Sequence, residues 1–206
     1  MYNDIINNPA EWYNALEPIS SAAKILTQAR AAMDTKSTGA ATLAALKRVL
    51  KSAPDHMKGQ FAQGGRWWMC DGFRLYSSPE KYPDTIPTIQ STFNAEKIMQ
   101  DNLKRWSEYH AAPETVTRAA LKEHKANPEN KPKSKYDTPR PYAIQDGEKM
   151  IGVNAEYLLD ALTLYPSATL MIAASLLPLV LAQDGEPVAL VMPVRLANPE
   201  QYRRTA

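Results

Sequence analysis

From Thr42 onward, Leu43, Leu46, Val49 and Leu50 recur at helical spacing, with Lys47, Arg48 and Lys51 on the other faces. This pattern predicts an amphipathic helix, capped by Thr42 and ended by Pro54. The period then changes. Gln60-Phe61-Ala62, Trp67-Trp68-Met69 and Phe73 to Tyr76 are short β-prone runs, separated by Gly64-Gly65 and Asp71-Gly72. They predict strand pairs around glycine turns. Successive strand residues point to opposite faces, so at most one of Trp67 and Trp68 belongs in the core.

Residues 10–33 are Ala-rich, with Trp12, Leu16, Ile19, Ala23 and Leu26 near helical spacing and Pro18 interrupting. Residues 79–93 are Pro-rich and predicted extended. Asn94 is placed to cap a helix running to about Tyr109, with Ile98, Leu103 and Trp106 as its apolar side. Residues 114–125 predict another short helix. The stretch 127–141 is polar, holds Pro128, Pro132, Pro139 and Pro141, and reads as a mobile loop.

The last segment is the best patterned. Tyr142-Ala143-Ile144 and Met150 to Val153 flank Gln145-Asp146-Gly147-Glu148, a hairpin signal. Asn154 then caps a helix that turns Tyr157, Leu158, Ala161 and Leu162 inward, and Pro166 stops it. Strands follow at 169–173, 177–181 and 188–195, the last pair joined through Asp184-Gly185. A helix followed by strands thus occurs twice, at 42–76 and again after 154, which suggests a weak internal duplication. The mixture predicts an α+β fold.

Composition narrows the picture. Of the 206 residues, 44% are hydrophobic and 22% charged, enough for one sizeable buried core with an ordinary polar surface. A net charge of +2 does not argue for nucleic acid by itself. The single cysteine, Cys70, cannot form an internal disulfide, so a reducing cytoplasm is expected. Residues 1–10 hold Asp4 and no apolar run, so no signal peptide is expected. Asp160, Pro166 and Pro178 break the most apolar stretch, which reads as helix and strands in a core rather than a membrane span.

Three segments, taken in order, resemble the bacterial DNA sliding clamp, the beta subunit of the replicative polymerase. They are Cys70-Asp71-Gly72-Phe73-Arg74-Leu75, then Gly152-Val153-Asn154-Ala155-Glu156-Tyr157-Leu158-Leu159-Asp160-Ala161-Leu162, and Met192-Pro193-Val194-Arg195-Leu196. They are similar to the family's T-D-G-H-R-L, F-N-x-x-Y-L-L-D-A-L and M-P-[MV]-R-L. The resemblance implies a DNA-clamp-like domain of two strand–helix–strands half-units, with helices packed on antiparallel sheet. That domain would span 37–206 with a long insertion at about 88–141, after an N-terminal helical extension at 1–36. The departures are specific. The family's Thr is Cys70 here, its His is Phe73, and residues 197–206 extend past the matching Leu196. The chain has room for one clamp domain where the family carries three, so a ring would need roughly six copies.

The resemblance also implies where function lies. Gly72, Phe73, Arg74 and Leu75 on one side, and Val191, Met192, Pro193, Val194, Arg195 and Leu196 on the other, match an apolar groove that grips short partner peptides. Methionine suits such a groove because it repacks around varied anchors. In the family the two walls come from adjacent domains, so within one domain they need not meet. Clamps face duplex DNA with helices and contact phosphates without regard to sequence. The matching candidates are Lys47, Arg48 and Lys51 on one helix and Lys97, Lys104 and Arg105 on another. The expected function is a processivity or scaffold factor for DNA replication, self-assembling around duplex DNA and binding replication proteins through short linear peptides. The alternative is an interaction module of the same fold that does not encircle DNA. No enzyme is expected, and no cofactor or metal. His56, His110 and His124 lack partners at metal spacing, and Cys70 lacks an adjacent base.

Overall fold

The computed structural model describes residues 39–202 apart from Thr92, Lys135, Tyr136 and Ser175. The helical extension expected at 1–36, and the tail beyond Tyr202, lie outside the described residues. The chain divides after Ala41, and the account below concerns the second unit.

The fold is α+β. Helix α1 covers residues 39–52 and is already formed at residue 39, so Thr42 is an interior position rather than its cap. Strands β1 (Gln60–Gln63), β2 (Arg66–Cys70) and β3 (Arg74–Ser78) follow as a meander. Helix α2 (Ala95–Leu103) is capped by Asn94, whose side chain accepts from the Lys97 amide at 2.8 Å. It ends six residues short of Tyr109, and residues 106–108 form a separate 3-10 turn. Its buried residues are Ala95 and Met99, while Ile98 stays 42% exposed, so the apolar side is displaced from the one expected. After β4 (His110–Ala111) come α3 (Arg118–Ala126) and the hairpin β5 (Tyr142–Asp146) and β6 (Lys149–Val153). Helix α4 (Ala155–Leu164) is capped by Asn154, which accepts from the Glu156 and Tyr157 amides. Strands β7 (Thr169–Ile172), β8 (Leu179–Gln183), β9 (Glu186–Val191) and β10 (Pro193–Val194) complete the fold.

Seven strands form an antiparallel sheet in the order β1-β2-β3-β9-β8-β7-β4, and β10-β6-β5 form a second, smaller sheet. The order has a local two-fold pattern. Helix α1 precedes the meander β1-β2-β3, α4 precedes β7-β8-β9, and the third strands of the two meanders pair at the centre. The duplicated helix-then-strands pattern read from the sequence therefore appears as two meanders joined at β3 and β9.

Strand alternation sorts the residues into two cores. Met69, Tyr76, Leu179, Leu181, Ala189 and Val191 face α1 and α4, packing with Leu46, Val49, Leu158 and Ala161 and with Ile144 and Ile151 of the small sheet. Trp68, Leu75, Val180 and Leu190 face the opposite way, against Ala95 and Met99 of α2. Trp68 is buried at 2% exposure while Trp67 is half-buried, as the alternation requires.

The chain passes from one sheet to the other at Met192. Pro193 and Val194 pair with Val153 and Gly152 of β6. A side chain at Gly152 would run into the Val194 carbonyl and would lie 2.7 Å from the Leu196 side chain, so the crossing needs glycine there. The stretch 127–141, read as a mobile loop, is fastened at several points in its described residues. Arg140 donates its amide to the Asn130 carbonyl at 2.9 Å, and Asn130 is buried.

Leu158 sits at 0% exposure where α4 meets the central strands. Leu158→Ala should lower unfolding free energy by about 2–5 kcal/mol in a urea titration, from lost transfer energy plus the cavity left behind.

Candidate functional site: an apolar cleft at the central strand pair

The β2–β3 turn is built by one carboxylate. Asp71 Oδ1 accepts from the backbone amides of Phe73 at 3.0 Å and Arg74 at 2.8 Å, while the Asp71 amide donates to the Arg74 carbonyl. Gly72 between them has φ +90°, a conformation that costs an L side chain strain. The Asp71-Gly72 pair thereby turns Phe73 outward, where it is 56% exposed.

Arg74 goes the other way. The resemblance places it on one wall of a peptide groove, but its side chain is buried at about 1% exposure. Nη2 and Nε donate to Asp71 Oδ2 at 2.6 and 2.9 Å, and Nη1 donates to Asp160 Oδ2 at 2.8 Å. The guanidinium lies over the Tyr157 ring, 4.1 Å from its centroid. Ser52 Oγ donates to Asp71 Oδ2 and accepts from Arg74 Nη2, and Arg48 reaches Asp160 Oδ1 at 2.5 Å. Burial opposes the Arg74 charge, but the neighbouring Tyr76 hydroxyl and the carboxylates of Asp71 and Asp160 outweigh it and raise the guanidinium's pKa. This network ties α1, the β2–β3 turn and α4 together, and its polar atoms satisfy one another.

Above it, the two sequence segments meet within one chain. Arg74 is in register with Val191, and the Met192 amide donates to the Phe73 carbonyl at 2.8 Å. A largely apolar cleft of about 340 Å³ opens beside this junction. Gly72, Phe73, Arg74 and Leu75 line it together with Met192, Leu190, Cys70, Met57, Phe93 and Ile98. Phe73 at 56%, Ile98 at 42% and Met192 at 42% exposure form an apolar group at the surface. Burial raises the pKa of the Cys70 thiol, whose sulfur accepts from the Gly72 amide.

The rest of the expected C-terminal wall is elsewhere. Val191 is fully buried in the core facing α4. Pro193 and Val194 belong to the small sheet, Leu196 closes on Gly152, and Arg195 is exposed beyond them. Only Met192 among Val191, Met192, Pro193, Val194, Arg195 and Leu196 lines the cleft, because the chain changes sheets at that residue. Conversely, Met57, Phe93, Ile98 and Leu190 escaped the sequence reading. Leu190 was open to inference, since it alternates with Val191. Ile98 was assigned to the buried side of its helix.

The six candidate phosphate-binding cations do not share a surface. Lys47, Arg48 and Lys51 lie on α1, whereas Lys97, Lys104 and Arg105 lie on or just after α2, which packs on the opposite face of the large sheet. Arg48 is engaged by Asp160, Lys104 by Asp101 at 2.6 Å and Arg105 by Glu108 at 2.8 Å. Lys47, Lys51 and Lys97 are exposed. Among the described residues, no cluster of His, Cys, Asp and Glu is arranged to hold a metal ion, and no helix is long and apolar enough to cross a membrane.

No family model, curated protein or solved structure matches this chain.

Removing one partner of a buried ion pair leaves the other charge without compensation. Asp160→Ala strands Arg74 on that side and should destabilise the protein by about 3–5 kcal/mol in a denaturant melt, with little dependence on added salt.

Proposed function

We propose that this chain is a non-enzymatic, clamp-like interaction protein whose cleft takes short apolar peptides from partner proteins. One observation carries the reading: Gly72 to Leu75 and Met192 meet around a single apolar cleft inside one chain. The resemblance assigns these segments to opposite walls of a peptide groove, and here no second domain is needed to bring them together. The paired meanders, each preceded by a helix, agree with a clamp-like domain of two half-units spanning 37–206. The surface chemistry fits too. Phe73, Ile98 and Met192 offer apolar contact without a buried unpaired charge, because Arg74 is satisfied from below. Its partners would include replication proteins.

The sheet edges favour the module over a ring. The β1 edge is covered at its first residue, where Gln60 donates its amide to the Pro87 carbonyl and accepts from the Ile89 amide, and β4 at the other edge has two residues. The large sheet therefore offers little edge for strand-to-strand assembly, and β5 is left as an edge of the small sheet.

A DNA-binding role keeps one specific support. Arg118 and Lys122 are exposed on α3, which packs beside α4, and α4 is bridged to α1 with its exposed Lys47 and Lys51. Contacts from such a face would be to phosphates and strongly salt-dependent.

Fluorescence anisotropy with a labelled clamp-type peptide tests the cleft. Met192→Asp should weaken binding at least tenfold while stability changes by about 0.5 kcal/mol or less, as for an exposed position. Unchanged affinity, or no binding by the native chain, overturns the peptide reading, and a large stability loss makes Met192 a packing residue. Sedimentation velocity with a duplex DNA circle separates the ring from the module. Several subunits retained on the circle and lost on linearisation would restore the ring, and a monomer indifferent to DNA removes both the ring and the phosphate-binding face.

A further inference from the structure

We infer that His124 is a proton-sensitive latch holding the segment that follows α3 against the helix layer. His124 lies in the last turn of α3. Its Nε2 is 2.9 Å from the Arg140 carbonyl oxygen, and its Nδ1 is 3.2 Å from the Asn130 side-chain nitrogen. The same Asn130 nitrogen is 3.0 Å from the His124 carbonyl oxygen. Its ring stands edge-on to Tyr142, with centroids 5.3 Å apart.

These contacts specify one protonation state. A carbonyl oxygen only accepts, so Nε2 must carry the hydrogen given to Arg140. The Asn130 group facing the His124 carbonyl must be the NH2 end, because its oxygen there would oppose another acceptor. Nδ1 therefore meets a donor and has to be unprotonated. A proton on Nδ1 sets N–H against N–H and breaks the contact to Asn130. Reversing the Asn130 amide would repair that contact only by losing the one to the His124 carbonyl.

Among the described residues, the charged and titratable groups around the ring are Glu123 and Lys125 on α3, Lys131 and Arg140 on the segment, Tyr142 on β5 and Glu156 on α4. The Glu156 carboxylate is held by Lys125 at 2.6 Å, and among the described residues no carboxylate hydrogen-bonds to His124. Lys125, Lys131 and Arg140 share these surroundings with Glu123 and Glu156, and the ring's bond to Asn130 exists only in its neutral form. Asn130 and Arg140 are also joined by their own backbone bond, so both His124 contacts close the same loop. Behind it lies a cavity of about 250 Å³ between His124, Asn130, Arg140 and the Asn154–Glu156 start of α4.

The sign follows directly. The neutral ring holds the segment, so adding a proton to Nδ1 breaks the bond to Asn130 and loosens the segment. Backbone hydrogen exchange of the full chain at about pH 7.5 and about pH 5.5, corrected for intrinsic rates, reads this out. Residues 127–134 should lose about tenfold in protection at the lower pH, the worth of one hydrogen bond, while β8 and β9 stay unchanged. His124→Gln, which cannot charge, should abolish the response. Equal protection at both pH values, or the same loss in His124→Gln, overturns the latch. Nitrogen NMR of the imidazole gives a check that needs no variant: the Nε2–H tautomer at about pH 7.5 supports the latch, and the Nδ1–H tautomer sinks it.

Discussion

The structure depends on one buried guanidinium. Arg74 sits at the middle of the large sheet with Asp71 on one side and Asp160 on the other, covered by Tyr157 and Ser52. Taking such charges out of water costs several kcal/mol each, which only near-complete pairing offsets. The pairing is met by residues far apart in the chain: Arg48 and Ser52 of α1, Asp71 and Arg74 at the β2–β3 turn, and Asp160 of α4. A shift of either helix over the sheet would break several of these bonds at once. The network therefore sets the register of the helix layer as well as holding it down.

The same constraint shapes the cleft. Asp71 uses one oxygen for the turn amides and the other for Arg74, so the turn and the ion pair form together. Gly72 permits the reversal, Arg74 goes inward, and Phe73 is left outside beside Met192. An exposed aromatic next to an exposed methionine is a poor way to finish a sheet and a reasonable way to begin a binding surface. Because Met57 and Ile98 come from the first half of the chain and Leu190 and Met192 from the second, the cleft draws on elements from both.

Much of the local architecture was legible in sequence because its signals are local. Glycine pairs and D-G steps marked the hairpins, Asn94 and Asn154 capped the helices they were expected to cap, and alternation picked one tryptophan for the core. The failures have a common cause. Ile98 fits an apolar helix stripe, yet which stripe is buried depends on where the sheet lies. Thr42 looks like a cap, but the helix begins earlier. Arg74 carries the same charge whether it sits at a rim or in a core. The proline-rich stretch 127–141 has no periodicity, and its described residues are fastened where His124 and Asn130 meet Arg140.

By itself the sequence determined an α+β chain with two helix-then-strands runs, its main hairpins and the caps of α2 and α4, since each of these follows from φ, ψ preference and spacing over a few residues. Tertiary structure alone decided that β3 and β9 are neighbours, that the chain leaves one sheet for the other at Met192, and that α1 and α2 lie on opposite faces. Those facts arise from contacts between residues far apart in the chain, as between Arg48 and Asp160, 112 positions apart. Such contacts are chosen by competition for burial and for hydrogen-bond partners, and no local pattern encodes who wins.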